Sequence, residues 1–155
     1  MKARTIRWTL ALCFVAAAVS FASTSAHMGT WKLNEAKSKL AAGAPKNHTV
    51  VYEAAGDNLK ITVDGVDSDG KATHNEWTGK FDGKDYAVTG DASSDARSYK
   101  VVNDRTLTFS AHQKGKVTMT GRIVLSADGK SRTVTVSGTD SKGKKFKGTS
   151  VYDKQ

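Results

Sequence analysis

Apolar and polar residues alternate in short stretches along the chain after residue 26. Leu59, Ile61 and Val63, for example, are separated by Lys60 and Thr62. A period of two residues is typical of a β-strand that turns one face to the core and the other to water. The same alternation recurs in three further stretches: Leu107 to Ala111, Val117 to Leu125, and Val134 to Val136.

Turn signals separate these stretches at regular intervals, and their residue types favour tight hairpin turns. The signals are Gly56-Asp57-Asn58, Asp69-Gly70, Asp82-Gly83, Asn103-Asp104, Lys114-Gly115, Asp128-Gly129 and Lys142-Gly143. Because every strand has one dry face, a meander of such strands must close on itself or fold over. We therefore predict an all-β fold, either an antiparallel up-and-down β-barrel or a flattened clam of roughly 8–10 strands.

The N-terminus has the layout of a secretory signal. Three basic residues, Lys2, Arg4 and Arg7, precede an uncharged apolar run that ends in small residues. A charged segment, an apolar segment and a small-residue cleavage site in this order are typical of a signal peptide. We predict that residues 1–26 are a signal cleaved after Ala26, with a neighbouring small residue as the fallback. The protein is then periplasmic or secreted.

The remaining segment, residues 27–155, is predicted to be a single domain. The whole chain of 155 residues carries a net charge of +9, and 21 Lys and Arg against 15 Asp and Glu remain once the signal is removed. The signal also carries away Cys13, the only cysteine. The domain must therefore fold by burial alone, without disulfide bonds. One short helix, capped by Asn34, is expected between Leu33 and Leu40.

Several motifs resemble the lipocalins and their relatives in the calycin superfamily. Gly29-Thr30-Trp31 resembles the G-x-W opening of that superfamily, and it precedes the run of strands. The layout from there to Val151-Tyr152-Asp153-Lys154 is similar to small exported bacterial lipocalin-like proteins of unknown function. The last strand also resembles that of the fatty-acid-binding proteins, except that Ser150 stands where those proteins carry a carboxylate-binding arginine.

The resemblance implies a role for Trp31 as a structural plug at one end of the barrel. In that pattern the tryptophan is paired with a basic residue from a late strand, whose guanidinium stacks on the indole ring. Arg122 and Arg132 are both candidates for this partner.

A ligand pocket is predicted from the residues that alternation places inside the barrel. Its wall is expected to comprise Trp77, Tyr86, Tyr99, Phe109 and Met119. The same residues could instead fill the core as ordinary packing, because a barrel of about eight strands can be filled by its side chains.

Catalytic and metal-binding patterns are missing from the sequence. It has no G-x-S-x-G elbow, no phosphate-binding glycine loop and no His-Glu metal motif. The histidines are scattered, and Gly65 stands where a calcium loop needs its first acidic ligand. We therefore predict a protein that is not an enzyme and has no metal or cofactor.

Four lysines crowd the last turn around Phe146, namely Lys142, Lys144, Lys145 and Lys147. They could contact an anionic lipid head group or polysaccharide, or form a solvated tip that keeps sheet edges from pairing. No basic-aromatic motif for nucleic acid is present. The sequence thus predicts an exported lipocalin-like barrel that binds a small hydrophobic or amphipathic ligand without catalysis. The alternative is a structural or envelope-interaction domain with a solid core and basic contact loops.

Overall fold

The computed structural model describes residues 24–41, 44–67, 69–139 and 143–155. Residues 1–23 of the predicted signal peptide lie outside the described residues, and so does Lys142 of the predicted basic turn. None of the described helical segments is long and apolar enough to cross a membrane.

The described residues form ten β-strands. The strands are β1 (Gly29–Leu33), β2 (Lys46–Ala55), β3 (Asn58–Val66), β4 (Ala72–Gly79), β5 (Tyr86–Thr89), β6 (Ala96–Asn103), β7 (Thr106–Gln113), β8 (Lys116–Leu125), β9 (Ser131–Thr139) and β10 (Lys145–Lys154). Each strand pairs antiparallel with the next one in the chain, and β1 closes the barrel against β10. The predicted all-β, up-and-down barrel is therefore confirmed.

The helix expected near Leu33 to Leu40 is a single 3-10 turn, Glu35–Lys37. Asn34 caps it, as expected, because its side-chain oxygen accepts a hydrogen bond from the Lys37 backbone N–H at 3.2 Å. The chain then returns to extended structure, and a β-bridge pairs Lys39 with β10. This pairing with the barrel competes with further helix, so the helix is shorter than the sequence indicated.

Alternate connections lie at the same end of the barrel, because successive strands run in opposite directions. The start of β1, the end of β10 and the β2–β3, β4–β5, β6–β7 and β8–β9 connections lie at one end, here named the Trp31 end. The other five connections lie at the opposite end, here named the Met119 end after a residue near the start of β8.

The inward faces of the strands form one hydrophobic core. Its buried members are Trp31, Val50, Tyr52, Ile61, Val63, Trp77, Val88, Tyr99, Leu107, Ile123, Leu125 and Tyr152. Seven of these residues lie on the face that alternation assigned to the interior, as expected for half-buried strands: Ile61, Val63, Trp77, Tyr99, Leu107, Ile123 and Leu125. The largest of these side chains, Trp31 and Trp77, are 0% and 1% exposed.

Candidate functional site

The aromatic residues predicted to wall a pocket lie together inside the barrel. The ring centroid of Trp77 is 4.8 Å from that of Tyr99 and 5.7 Å from that of Tyr86, both in edge-on geometry. Tyr99 in turn stacks on Phe109 across the β6–β7 pair, at 5.6 Å. Such edge-on and offset contacts are the favoured ones between aromatic rings. Whether a ligand reaches these rings stays a prediction, because their mutual contacts are also those of a packed core.

Glycines opposite the rings make this packing feasible. A Cβ atom placed on Gly121 would lie 2.2 Å from the Phe109 ring of the neighbouring strand. A Cβ atom on Gly79 would lie 2.4 Å from the Tyr86 ring. The Phe109 ring therefore occupies the space that a side chain at Gly121 would take, and the Tyr86 ring occupies the space that a side chain at Gly79 would take.

Tyr99 is the most deeply buried phenol of this aromatic group. Burial raises the pKa of Tyr99 to about 12, so its hydroxyl stays protonated at neutral pH. The indole N–H of Trp77 is satisfied by the backbone carbonyl oxygen of Arg97, at 2.9 Å. The buried indole N–H of Trp77 is thus directed to a specific partner rather than to solvent.

Arg132 lies at the Trp31 end, within a cage of aromatic rings. Its guanidinium carbon is 4.7 Å from the ring centroids of both Trp31 and Tyr52, and 5.1 Å from that of Tyr152. The side chain is buried, and its Nε and Nη1 have no hydrogen-bond acceptor among the described residues. The faces of the three rings provide the electrostatic compensation that a carboxylate would otherwise supply. Of the two candidate partners of Trp31, Arg132 is therefore the one that stacks on the indole ring, whereas Arg122 is exposed.

The segment before β1 covers this cage. His27 is fully buried, and its carbonyl oxygen accepts a hydrogen bond from the Trp31 indole N–H at 2.9 Å. The Lys154 ammonium is 5.2 Å from the Trp31 ring centroid and donates a hydrogen bond to the Ala26 carbonyl at 3.2 Å. Burial, and then the charges of Arg132 and Lys154, lower the pKa of His27 to about 4.

A second arginine, Arg97, projects into the barrel nearer the Met119 end. It forms an ion pair with Asp91 and donates a hydrogen bond to the Asn75 side-chain oxygen at 3.0 Å. Burial alone would raise the Asp91 pKa, but hydrogen bonds from Ser94 and Ser93, together with the Arg97 charge, hold it below its ordinary value. Sequence reasoning missed this pair. The one available signal was that Arg97 shares the inward parity of Tyr99.

Met119, the fifth predicted wall residue, lies away from the aromatic stack. It lines a depression of about 300 Å³ at the Met119 end, where β8, β9 and β10 meet their turns. The lining residues are Val117, Thr118, Met119, Thr120, Ser137, Gly138, Thr139, Lys145 and Phe146. Gly138 pairs with Met119 on one side and with Phe146 on the other, so two large apolar side chains flank a residue without one.

A smaller depression of about 170 Å³ is lined by Gly83, Ser98, Lys100, Thr108, Phe109 and Ser110. Its volume is well below the roughly 300 Å³ at which small-molecule sites begin. Most of its lining is polar, so it offers little apolar contact to a ligand. The depression at the Met119 end is therefore the better candidate.

The lysines predicted to contact anionic surfaces are exposed where the structure describes them. Lys144, Lys145 and Lys147 lie in or beside the β9–β10 turn, and Lys145 also lines the depression. Phe146, between them, is half-buried. The turn therefore combines exposed positive charge with an apolar ring.

One further charged network lies on the outer face of β3 and β4. His74 Nδ1 is 2.6 Å from an Asp64 carboxylate oxygen, and Lys60 Nζ is 2.7 Å from a Glu76 oxygen. The hydrogen bond with Asp64 is the main reason that the His74 pKa is raised. These groups are half-buried or exposed, so solvent screens their charges.

The barrel is similar in fold to solved structures. It matches EF1p2_mFAP2b bound to DFHBI with a TM-score of 0.52 and 11% sequence identity, over 86% of this chain and 98% of that chain. It also matches the redesigned β-barrel mFAP1 bound to DFHBI, with a TM-score of 0.49 and 17% identity over 86% and 99% of the two chains. No protein-family profile and no curated protein matches the chain. The class defined here is thus a closed, ten-stranded antiparallel β-barrel.

Proposed function

We propose that this protein is an exported, lipocalin-like barrel that binds a small hydrophobic or amphipathic molecule and performs no chemistry on it. The observation that carries the proposal is the depression of about 300 Å³ at the Met119 end. Ligand sites are concave and mostly apolar, with a few polar groups that fix orientation, and their volumes start at roughly 300 Å³.

The lining of the depression suits an amphipathic ligand with a negative group. Met119 and Phe146 supply polarisable and aromatic contacts on either side of Gly138, and the Phe146 ring packs over that glycine. Lys145 at the rim supplies a cation for an acidic head group. The lining holds no imidazole or carboxylate that could act as a general base, so the proposal contains no catalytic step.

Two further points support the lipocalin-like and ligand-binding parts of this proposal. The G-x-W segment leads into a Trp31 ring that lies under Arg132, which is the pairing implied by the calycin resemblance. The barrel EF1p2_mFAP2b, which is similar in fold, is bound to DFHBI. Export is proposed from the N-terminal pattern alone, with a periplasmic or secreted destination.

A matched pair of fluorescent probes tests the site. N-phenylnaphthylamine is neutral, whereas anilinonaphthalene sulfonate carries a similar apolar body and a negative charge. Met119→Glu should weaken binding of both probes about tenfold or more, because it places a charge in the apolar lining. Lys145→Gln should weaken binding of the sulfonate alone. Val102→Glu, at an exposed valine of β6, is the matched control and should leave both affinities unchanged.

Native mass spectrometry on protein purified from its own host tests the proposal with the natural ligand. A retained small molecule that Met119→Glu releases would support ligand binding. Probe affinities that are equal in the wild type, Met119→Glu and Lys145→Gln proteins, each with an unchanged unfolding midpoint, would contradict the site. The alternative of a solid structural core, favoured by the aromatic stack around Trp77, would then be preferred.

A further inference from the structure

Positive charge is concentrated on one side of the barrel. Residues 105–155, which form β7 to β10, contain 11 Lys and Arg against 3 Asp and Glu. Residues 27–104, which form β1 to β6, contain 10 Lys and Arg against 12 Asp and Glu. Because β7 to β10 are neighbours in the barrel, the excess charge of their exposed, described residues lies on one side, whereas Arg132 is buried and does not contribute to that surface. The net positive charge of residues 27–155 therefore comes entirely from residues 105–155.

An exposed apolar group lies at the Met119 end of the basic side. Val117 is 58% exposed, the highest value for a large apolar residue in the described chain. Met119 follows two residues later, and Phe146 lies two strands away across Gly138. Both are only half-buried. An exposed apolar group rimmed by polar residues is a feature of surfaces that contact a partner or a membrane.

The hairpin turn between β7 and β8 holds two lysines beside this apolar group. Lys114 and Gly115 both have positive φ angles, of 51° and 74°, as a two-residue hairpin turn with the twist of its strands requires. The Lys114 backbone N–H donates a hydrogen bond to an Asp95 carboxylate oxygen at 2.7 Å, which ties the turn to the β5–β6 loop. The ammonium groups of Lys114 and Lys116 are thus carried on an anchored turn rather than on a loose loop.

We propose that this basic-apolar tip, defined as Lys114, Lys116, Val117, Met119, Lys145 and Phe146, docks onto the surface of an anionic lipid bilayer. The lysines complement the negative head groups, which attract basic residues near the surface of the bilayer. Val117 and Phe146 enter the interface between head groups and acyl chains. An anionic polysaccharide would use the lysines but not the exposed valine, so the apolar residues favour a bilayer. The tip shares Val117, Met119, Lys145 and Phe146 with the depression of the proposed ligand site, but docking onto a bilayer does not require a soluble ligand.

Vesicle co-sedimentation tests the charge requirement. The probes are vesicles of phosphatidylcholine alone and vesicles of equal parts phosphatidylcholine and phosphatidylglycerol, at low and high salt. The triple variant Lys114→Gln, Lys116→Gln and Lys145→Gln should bind the anionic vesicles at least about tenfold more weakly than wild type. Its matched control changes three exposed lysines near turns at the Trp31 end, as Lys80→Gln, Lys84→Gln and Lys130→Gln. This control has the same net charge and should keep wild-type binding.

A fluorescent reporter tests the apolar contact. Trp31 and Trp77 are buried and give a constant background, so Val117→Trp adds a tryptophan whose emission reports the tip. Its emission should shift to shorter wavelength with anionic vesicles. Val102→Trp, at a valine that is 50% exposed elsewhere on the barrel, should not shift. All variants and controls carry the same N-terminus, so residues 1–26 contribute equally to every comparison.

Three results would overturn the docking proposal. One is equal loss of binding in the two triple variants, which would indicate a response to net charge only. Another is binding to heparin, an anionic polysaccharide, without binding to anionic vesicles. The third is an unshifted Val117→Trp emission on vesicles that the protein does bind. None of these outcomes depends on the probe affinities that test the soluble-ligand site.

Discussion

The guanidinium of Arg132 lies over the indole ring of Trp31, 4.7 Å from its centroid, and joins β9 to β1 across the closed end of the barrel. The register explains the contact. Tyr152 of β10 pairs with Arg132 of β9. Two residues further along β10, Lys154 pairs with Trp31 of β1 on the other edge of the strand. A residue near the start of the domain and one near its end are therefore brought together by closure of the sheet.

Trp31→Ala is expected to lower the free energy of unfolding by about 3–5 kcal/mol, because it removes a fully buried aromatic side chain. Chemical denaturation measures the loss. Trp77→Phe is a useful companion, since it leaves Trp31 as the only tryptophan after residue 26, and its emission should be that of a shielded indole. A red-shifted, easily quenched emission with an unchanged midpoint for Trp31→Ala would contradict the role of Trp31 as a plug.

Stability should fall as the pH drops from about 6.5 to about 4, because of His27. Burial and the charges of Arg132 and Lys154 lower its pKa to about 4 in the folded protein, against 6.5 for an ordinary histidine. Between these values the unfolded chain binds the proton and the folded protein does not, so acid favours unfolding by up to about 3 kcal/mol. Above about pH 6.5 this loss is absent, and below about pH 4 it is complete.

Thermal unfolding across this pH range, compared with His27→Gln, measures the histidine contribution. The variant should show a flatter profile than wild type between about pH 6.5 and about 4. Arg132→Met should raise the pKa of His27, since it removes one of the two charges that lower it, and NMR titration of the imidazole detects this. Identical profiles for wild type and His27→Gln would rule out the buried, neutral state of His27.

Asp91→Ala should destabilise the protein by about 3–5 kcal/mol, because it leaves the buried Arg97 guanidinium without its carboxylate. Urea unfolding measures the change. Glu35→Ala is the matched control, since it breaks an ion pair with Lys46 that is open to solvent, and its effect should be small beside that of Asp91→Ala. Equal effects of the two substitutions would show that Arg97 does not depend on Asp91.

A chain that begins at His27 should be less stable than one that keeps residues 23–26, by about 1–2 kcal/mol. The longer chain retains the hydrogen bond from the His27 backbone N–H to the Thr24 carbonyl at 3.0 Å and the contact of Lys154 with the Ala26 carbonyl. In the shorter chain, a new ammonium group would lie close to the cations Arg132 and Lys154. Unfolding midpoints of the two chains, made recombinantly, measure the difference.

The outcome of that comparison bears on processing. Equal stability would remove the physical argument against cleavage after Ala26, whereas a large loss would favour cleavage at an earlier small residue. N-terminal mass spectrometry of exported protein then determines which terminus is made.

The local pattern was enough to predict the strands and most of their inward residues. Val117 is the exception, because alternation placed it inward and it is 58% exposed, beside the register shift between Ala111 and His112. Ile61, Val63 and Trp77 are all buried on the face that alternation assigned to them. Period-two alternation carries this information because successive side chains of a strand point to opposite faces, whatever the strand pairs with. The turn signal at Lys114-Gly115 is equally local, and both of its residues have the positive φ angles that a tight hairpin turn needs.

Contacts between distant segments needed the tertiary structure. Which arginine stacks on Trp31, Arg132 or Arg122, depends on the register of β9, β10 and β1. The pairing of Asp91 with Arg97 depends on how the β5–β6 loop folds. The location of Met119 outside the aromatic stack depends likewise on its height along β8. Alternation assigns a residue to a face but not to a height, since the register is set by all ten strands as the barrel closes.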